Sequence, residues 1–370
     1  MTVGFKDLTL REGAQVPGLE ISESAGRRVL DALADLGVER VEVAFPRARE
    51  RASWFRHADA LGLETAALAR AVPADVDAAL GVDPDEVEVI VNASDVQLEH
   101  ALGKSREEAV DLVVENVERA RDGGVAAGAT LMDAVRAENG FLRRAARAVA
   151  DAGARHVTLA DTTGAGHPAD VRDTVAAVVD AVDAPVAIHT HDDMGVAAAN
   201  ALAGVDAGAA SVDATVGGVG ERVGNAALEE VAVLLAERGE DVALELPSLA
   251  PACESALDAL DVAVPDDKPV LGSLAYRHES GMHTAAMLRE PATYEPFDPG
   301  RYGASRELLF GPGTGRGAVR ALLADADVEA TDERVAAGLD ALRAAASERG
   351  GPLDADAARE VVVDAATDRD

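Results

Sequence analysis

The sequence predicts a (β/α)8 TIM barrel followed by a small helical C-terminal subdomain. From residue 1 to about residue 240, short β-branched runs alternate with longer amphipathic runs rich in Ala and Leu. Eight strand–helix units in that length match the count and size of a (β/α)8 barrel. Glycine, which commonly ends helices, follows several of the predicted helices, at Gly37, Gly123, Gly153 and Gly208. A doubly wound sheet is the rival interpretation, but eight evenly spaced units favour a closed barrel.

The pattern places the elements in order along the chain. The predicted strands are 3–9, 40–45, 64–69, 86–92, 126–132, 156–161, 185–191 and 211–216. The predicted helices include 22–36, 104–122, 139–152, 168–181 and 196–207. We therefore expect a catalytic barrel over 1–240, a post-barrel segment over 241–320 and a small helical subdomain over 321–370.

Composition limits the classes of function. The 370 residues are 48% hydrophobic but only 3% aromatic, so Ala, Val and Leu must fill the core. The net charge is -33, spread along the chain, which argues against nucleic acid or anionic lipid as a partner. This charge favours a solvated surface suited to a salt-rich cytoplasm, over a cation-binding surface.

Cysteine usage and the absence of long apolar runs limit the compartment. Cys253 is the only cysteine, so no disulfide forms within the chain and no zinc–thiolate cluster exists. We interpret Cys253 as a small buried hydrophobe. The sequence shows neither a signal segment nor an apolar run of membrane-spanning length, so we expect a soluble, cytoplasmic protein.

Two histidines close the seventh predicted strand. His189 and His191 are two residues apart, so on an extended strand both imidazoles project to the same side. A lone His-x-His is often a pair of ordinary histidines, but here a glycine-rich turn, 217–225, follows the next strand. Such a turn lets backbone approach a ligand. Together these features indicate half of a divalent-metal site.

Polar residues follow most of the predicted strands, where barrel enzymes build their active sites. They are Asp7, Arg11, Glu12, Gln15, Arg70, Asn92, Ser94, Asp95, Asp133, Asp161, Thr162 and Thr163. Glu12, His189, His191 and the amide oxygen of Asn225 form a mixed oxygen and nitrogen ligand set. This set suits Zn, Mn, Fe or Co, and Mg less comfortably.

Two neighbouring pairs have alternative interpretations. Arg11 beside the metal could stabilise an oxyanion developing on a polarised carbonyl. The plainer interpretation of Arg11 and Glu12 is a solvated pair at a helix start. For Asp192 and Asp193 we prefer helix caps to metal ligands.

The motifs resemble those of the DRE-TIM metallolyases, and more closely the condensing branch of isopropylmalate, homocitrate and citramalate synthases. The resemblance spans about residues 4 to 317. The matching segments are Asp7-Leu-Thr-Leu-Arg-Glu-Gly-Ala-Gln15, Ala67-Leu-Ala-Arg-Ala71, Asp161-Thr-Thr-Gly164, His189-Thr-His-Asp-Asp-Met-Gly195, Gly218-Val-Gly-Glu-Arg-Val-Gly-Asn225, His278-Glu-Ser-Gly-Met-His283 and Pro291-Ala-Thr-Tyr294. It implies condensation of an acyl-CoA, usually acetyl-CoA, with a 2-oxo acid bound to a divalent metal (Mn, Mg, Zn or Co), followed by thioester hydrolysis.

The resemblance also implies roles. Glu12, His189 and His191 would hold the metal, with Asn225 close or ligating, and Arg11 would stabilise the enolate or carbonyl oxygen. Thr162 would bind the oxo-acid carboxylate, and Gln15 and Arg70 would line the substrate pocket. His283 and Tyr294 look like residues that this branch sends into the neighbouring subunit's site, which implies a homodimer with shared active sites. A histidine near neutral pKa is the natural base for the thioester α-proton.

Three positions depart from the family pattern. Where the family shows a Glu-Asp pair after strand 5, this chain has Met132-Asp133, so Asp133 or another acid must substitute for the base or deprotonation is impaired. Gly128 stands where homocitrate synthases carry an arginine for the distal carboxylate of 2-oxoglutarate. Gln97 replaces a histidine after strand 4.

Three hypotheses about function follow. The first is an acyl-CoA:2-oxo-acid synthase. The second is a metal-dependent lyase or aldolase, disfavoured because the glycine loop lacks the cysteine of hydroxymethylglutaryl-CoA lyases. The third is a paralogue that binds oxo acid or CoA without efficient catalysis, motivated by Met132. We expect no leucine-binding regulatory domain, because the chain stops near residue 370.

Overall fold

The structure, a computed structural model, describes residues 2–45 and 48–367. The chain divides into two compact units, Met1–Val264 and Pro265–Asp370. Eight parallel strands in the first unit close into a barrel with helices between them, which confirms the predicted fold class. The proposed division at residues 240 and 320 stays a prediction.

The barrel strands lie within two residues of the predicted bounds at either end. They are β1 (Thr2–Asp7), β2 (Arg40–Ala44), β3 (Glu64–Arg70), β4 (Glu86–Asn92), β5 (Ala126–Met132), β6 (Val157–Asp161), β7 (Val186–Thr190) and β8 (Ser211–Ala214). Neighbours pair in chain order from β2 to β8, and β1 pairs with both β8 and β2, which closes the barrel. A short strand, β9 (Asp241–Val242), also pairs with β1.

Helices follow the strands, and polar side chains cap some of them. They are α1 (Thr9–Gly13), α2 (Glu23–Asp35), α3 (Ala52–Leu61), α4 (Pro73–Leu80), α5 (Asp95–Gln97), α6 (Arg106–Asp122), α7 (Asn139–Asp151), α8 (Pro168–Val179), α9 (Ala197–Asp206), α10 (Leu228–Glu237) and α11 (Leu249–Ala259). Ser22 Oγ accepts from the Ala25 amide at 3.1 Å, and this bond satisfies an amide that the first turn of α2 leaves unpaired. After α6 the left-handed residue is Gly124, at φ +88°, one position later than the predicted Gly123.

The barrel core is built from Val, Leu and Ala, as the composition requires. The single Trp54 is buried, and its indole nitrogen donates to the Glu23 carbonyl at 3.2 Å. Its ring packs so closely on α2 that a Cβ at Gly26 would lie 2.2 Å from Trp54 Cε2. Glycine is therefore required at this helix crossing.

The second unit is mostly helical and has its own core. Its elements are β10 (Arg277–His278), α12 (Gly281–Met287), β11 (Glu307–Leu308), α13 (Arg316–Asp325), α14 (Asp332–Arg349) and α15 (Ala355–Thr367). The side chains of Phe310, Leu322, Leu342 and Val362 are fully buried together. Among the helices that the structure describes, none combines the length and apolarity that spanning a bilayer requires.

Candidate active site

Polar side chains from the strand ends surround one cavity of about 240 Å³ in the barrel. This is smaller than the roughly 300–1,000 Å³ of sites for drug-sized ligands, so it suits a small molecule. Its lining residues are Arg11, Glu12, Gln15, Glu42, Phe45, Leu68, Ile90, Thr130, Met132, Ala160, Thr162, His189, His191, Asp213 and Glu221.

The two histidines face each other as their spacing predicts. His189 lies on β7 and His191 directly follows it, and their Nε2 atoms are 3.2 Å apart. Burial, followed by the neighbouring His191, holds the pKa of His189 well below its usual value. Burial also lowers the pKa of His191. Both imidazoles are therefore neutral near pH 7, the form that binds a metal.

Glu12, on α1 directly after β1, completes a compact group. One ligand atom each from Glu12, His189 and His191 lies within 4.8 Å of the others. Burial alone would raise the pKa of Glu12, but opposing charge, chiefly the Arg11 guanidinium, lowers the pKa to about 2. Glu12 therefore stays a carboxylate, as metal binding needs.

Two oxygen atoms of this site have no hydrogen-bond partner, as expected of atoms that bind a cation. Glu12 Oε2 and Asn225 Oδ1 are buried and have no hydrogen-bond partner. Asn225 forms an isolated bridge with His191, and its Nδ2 donates to the Val219 carbonyl at 3.4 Å. A Cβ at Gly220 would lie 2.2 Å from Asn225 Nδ2, so glycine there leaves room for the amide. Two neutral imidazoles, a carboxylate and a free amide oxygen suit a divalent metal.

Arg11 lies beside this group and is fixed by two carboxylates. Its Nε donates to Glu42 Oε1 at 2.6 Å, and its NH1 pairs with Glu12. The side chain is buried, so the solvated-pair interpretation is wrong. A cation held this rigidly at a cavity wall can stabilise negative charge that develops on a bound oxygen.

Thr162 and Gln15, to which the motifs assign substrate binding, both line the cavity, and that role stays a prediction. The Asp133 amide donates to Thr162 Oγ1 at 2.8 Å, so the hydroxyl proton of Thr162 remains free to donate. A hydroxyl at this position can bind the carboxylate of a small acid.

Arg70 and Asp133 are not among the lining residues. The Arg70 side chain is 62% exposed, and its Nε donates to Asp75 Oδ2 at 2.6 Å. Asp133 is fully buried at φ +58°, where Arg136 NH2 donates to its Oδ2 at 2.7 Å and Ser94 donates to the same oxygen. Met132, the residue before it, faces the cavity. Both role assignments stay predictions.

Neither aspartate occupies the N-cap position of α9, which is Val196, although Asp192 still binds the first amide of the helix. Asp192 Oδ1 accepts from the Ala197 amide at 2.7 Å at the start of α9. Asp193 instead pairs with Arg222, whose Nε donates to Asp193 Oδ1 at 2.7 Å. This pair fixes the glycine-rich loop against the segment that follows β7.

His283 and Tyr294 belong to the second unit. His283 lies on α12, and Tyr294 follows a short turn. Their rings stack with centroids 3.8 Å apart at an angle of 24°. The two residues that the motifs single out are therefore brought together, and their role in a site stays a prediction.

Charged residues inside the barrel were missed by the sequence reasoning. Glu42 and Asp213 line the cavity, and the buried Lys6 contacts both. The available signal is charge at strand positions that alternate with apolar residues, as in Val41-Glu42-Val43 and Val212-Asp213-Ala214. Such alternation indicates charged side chains on one face of a strand, whereas the net charge of -33 indicates only a solvated surface.

Gly128 is also part of the interior and not of the lining. A Cβ there would lie 2.4 Å from Glu88 Oε2 and 2.6 Å from His156 Cε1. The Glu88 carboxylate accepts from Thr130 Oγ1 at 2.6 Å and pairs with His156 Nε2 at 2.8 Å. These side chains occupy the space into which a longer side chain at Gly128 would project.

Comparisons with known proteins agree with the motifs. Residues 2–255 match the HMGL-like family, and residues 270–350 match the homocitrate synthase post-HMGL domain-like family. A homocitrate synthase AksA from Methanopyrus kandleri is 40% identical, covering 89% of this chain and 84% of that protein. A 2-isopropylmalate synthase from Sulfurisphaera tokodaii is 33% identical, covering 96% and 94%.

A solved structure supports the same fold. The hydroxymethylglutaryl-CoA lyase from Pseudomonas aeruginosa superimposes with a TM-score of 0.64 at 25% identity, covering 71% of this chain and 94% of that one. The family matches cover more than half of the chain, and the two relatives align over 84% and 94% of their own length. The chain therefore belongs to the HMGL-like family, within the condensing branch of the DRE-TIM metallolyases that contains the homocitrate and 2-isopropylmalate synthases.

Proposed function

We propose that this protein is an acyltransferase that condenses acetyl-CoA with a metal-bound 2-oxo acid and then hydrolyses the thioester. The observation that supports this most strongly is the buried group of Glu12, His189 and His191 beside the fixed guanidinium of Arg11. Oxygen atoms at this group have no hydrogen-bond partner. The names of the relatives, homocitrate and 2-isopropylmalate synthases, support the same reaction in amino-acid biosynthesis.

Different residues of the site bind different groups of the 2-oxo acid. A divalent cation (Mn, Mg, Zn or Co), held by Glu12, His189, His191 and Asn225, would act as a Lewis acid on the keto group. Arg11 donates to the keto oxygen as negative charge develops there, and Thr162 donates to the acid's carboxylate. These donors are fixed before substrate arrives, which is the arrangement that lowers a barrier most effectively.

Carbon–carbon bond formation needs a base. One proton leaves the acetyl methyl group, and the resulting carbon nucleophile attacks the keto carbon, whose oxygen then takes up a proton. Water next cleaves the thioester and releases CoA. His283, whose ring stacks on that of Tyr294, is the proposed acid–base group, because an imidazole can both accept and donate a proton. Asp133 is the alternative, although Arg136 and Ser94 already bind its carboxylate.

We propose a homodimer in which His283 and Tyr294 of one chain serve the site of the other. The motif that contains these two residues supports this arrangement. The neighbouring Met282 on α12 also supports it, because its large apolar side chain is exposed in the single chain. The charge of -33 supports a salt-rich cytoplasm as the working environment.

The cavity favours a 2-oxo acid with an apolar side chain. Its walls include Phe45, Leu68, Ile90, Met132 and Ala160. Among the lining residues in the part of the chain that the structure describes, Arg11 is the one Lys or Arg, and Glu42 and Glu12 already pair with it. Within that lining, a second carboxylate on the substrate would meet apolar surface and acidic side chains. Pyruvate and 2-oxoisovalerate fit these walls better than 2-oxoglutarate.

The test is CoA release from acetyl-CoA with Mn or Mg in molar KCl. The panel is pyruvate, 2-oxoisovalerate, 2-oxoglutarate and buffer alone, with the Arg11→Ala variant as control. We expect release with pyruvate or 2-oxoisovalerate that depends on metal and on Arg11. Release with 2-oxoglutarate alone would contradict the substrate assignment. If folded, metal-loaded protein releases no CoA with any of the three 2-oxo acids, the proposed reaction is contradicted.

A further inference from the structure

A single buried ammonium lies among three carboxylates beneath the candidate metal site. Lys6 Nζ is 3.5 Å from Glu42 Oε2, 3.1 Å from Glu88 Oε2 and 3.4 Å from Asp213 Oδ2. The Lys6 side chain is 1% exposed, and each carboxylate is nearly as buried. Each carboxylate needs a cation, because an isolated charge away from water is strongly unfavourable.

Two of these carboxylates also contact residues of the site. Glu42 uses its other oxygen, Oε1, to accept from Arg11. Asp213 Oδ2 lies 3.9 Å from His189 Nδ1. The opposite ring nitrogen, Nε2, faces His191 at 3.2 Å and Glu12 Oε1 at 3.8 Å. Lys6 is therefore separated from His189 by one carboxylate.

The two nitrogens of His189 have different neighbours, and this decides how the ring can bind a cation. Nε2 is the nitrogen that points at Glu12 and His191, so it must be the unprotonated one when a metal binds. The proton then lies on Nδ1, and a carboxylate that accepts from it fixes both the tautomer and the ring orientation. Asp213 Oδ2 lies 3.9 Å from this nitrogen, which is longer than a hydrogen bond, so a small approach of the two groups on metal binding would make it that acceptor.

We propose that Lys6 is a positioning residue for the metal site: its ammonium holds the Asp213 carboxylate against Nδ1 of His189, so that Nε2 is presented to the cation. The inference rests on the metal site of the proposed function. Lys6 itself touches neither the cation nor the substrate. Its effect reaches the site through Asp213, and the Glu42–Arg11 pair forms a parallel connection on the other side of the ammonium.

Glu88 supplies an internal control. It contacts the same ammonium, but its other contacts lead away from His189, to Thr130 at 2.6 Å and His156 at 2.8 Å. Removing its charge disturbs the buried cluster without removing the group that faces His189. A general loss of packing or charge balance would affect Glu88 and Asp213 variants alike, whereas the proposed connection would not.

The experiment measures the Mn dissociation constant of the metal-free full chain by calorimetry, together with the thermal midpoint. The variants are Asp213→Asn, Lys6→Met, the double variant, Glu88→Gln, and Lys104→Met as a surface lysine control. We expect Asp213→Asn and Lys6→Met each to weaken Mn binding by about 10- to 100-fold. The double variant should bind no more weakly than Asp213→Asn, because Lys6 acts through Asp213. Glu88→Gln should lower the midpoint but leave the dissociation constant within about twofold, as should Lys104→Met.

Several results would overturn the inference. Unchanged Mn affinity in Asp213→Asn would do so, as would an equal loss in Glu88→Gln, or a double variant that binds more than about tenfold more weakly than Asp213→Asn. If Lys6→Met does not fold, the double variant is compared with Asp213→Asn instead. The double variant removes one positive and one negative charge together, so the net charge of the buried cluster does not change. Absence of Mn binding in the unaltered protein would instead contradict the proposed metal site.

Discussion

His189 Nε2 lies 3.2 Å from His191 Nε2, with both rings buried and both pKa values lowered. Two neutral imidazoles can share at most one proton across such a contact, whereas a metal ion can bind both nitrogens. Glu12 and Asn225 add oxygens that have no other partner. The geometry is therefore best explained by a cation that these side chains would hold.

Removing one imidazole should abolish metal retention. We expect His189→Ala to lose bound metal, because two nitrogen ligands become one and the remaining oxygens bind weakly. Metal content after dialysis, measured by plasma mass spectrometry, checks this. His100→Ala, which removes a histidine with a 70% exposed side chain, is the matched control and should keep its metal. Full occupancy in His189→Ala would show that the ligand set is wrong.

Restoring a carboxylate at position 132 separates an enzyme from a weakened paralogue. Met132 lines the cavity, while the adjacent Asp133 is bound by Arg136. If another group serves as base, Met132→Glu should leave the turnover number unchanged or lower it, because it adds a buried charge beside Glu12 and Glu42. We expect this outcome. A rise in the turnover number of tenfold or more, on the order of what a positioned base contributes, would instead show that the native protein removes the substrate proton inefficiently. Steady-state turnover with each 2-oxo acid is the measurement.

Mixed dimers test whether sites are shared between chains. We expect Arg11→Ala and His283→Ala proteins to be nearly inactive alone but to recover activity after mixing and subunit exchange. Recovery should reach at most about a quarter of the native rate, because random pairing gives half heterodimers with one intact site each. Mixing Arg11→Ala with Glu12→Ala, both from the barrel, is the control and should recover nothing. If the first mixture also stays inactive after proven exchange, each site uses residues of its own chain.

The buried Asp7 should make stability depend on pH. Burial raises its pKa to about 7 from 3.8, although hydrogen bonds from Thr9 oppose the shift. Between these values the native state holds a proton that the unfolded chain has released. The stability that this proton contributes is complete below about pH 4 and is lost as the pH rises through 7.

We therefore expect the free energy of unfolding to fall between pH 5 and 7 by up to roughly 1.4 kcal/mol per pH unit from this group. Urea unfolding at constant molar KCl measures it. Asp7→Asn should show a shallower slope over that range. Asp77→Asn is the control, because Asp77 is exposed and Arg119 lowers its pKa, so it does not titrate in this window. Equal slopes in the native and Asp7→Asn proteins would refute the assignment.

The fold and most of the candidate site were predictable from local pattern. The strand bounds followed from β-branched runs, because strand and helix periods are properties of neighbouring residues. Glu12, His189, His191, Thr162 and Gln15 were found because parallel strands of a barrel all end at the same face, whatever the packing details. The apposition of the imidazoles followed from their spacing of two.

Other features were decided by side-chain contacts that the strand pattern does not contain. Arg70 turns to Asp75, and Asp133 is bound by Arg136 and Ser94, so strand-end position alone did not determine where those side chains point. Lys6 meets Glu42, Glu88 and Asp213 only because closure of the barrel places β1 between β2 and β8 and brings Glu88 of β4 within reach in the interior. The sequence by itself determined which groups reach the barrel's end. Tertiary structure decided which of them remain free to bind, because pairing of buried charges depends on distances that only closure of the barrel sets.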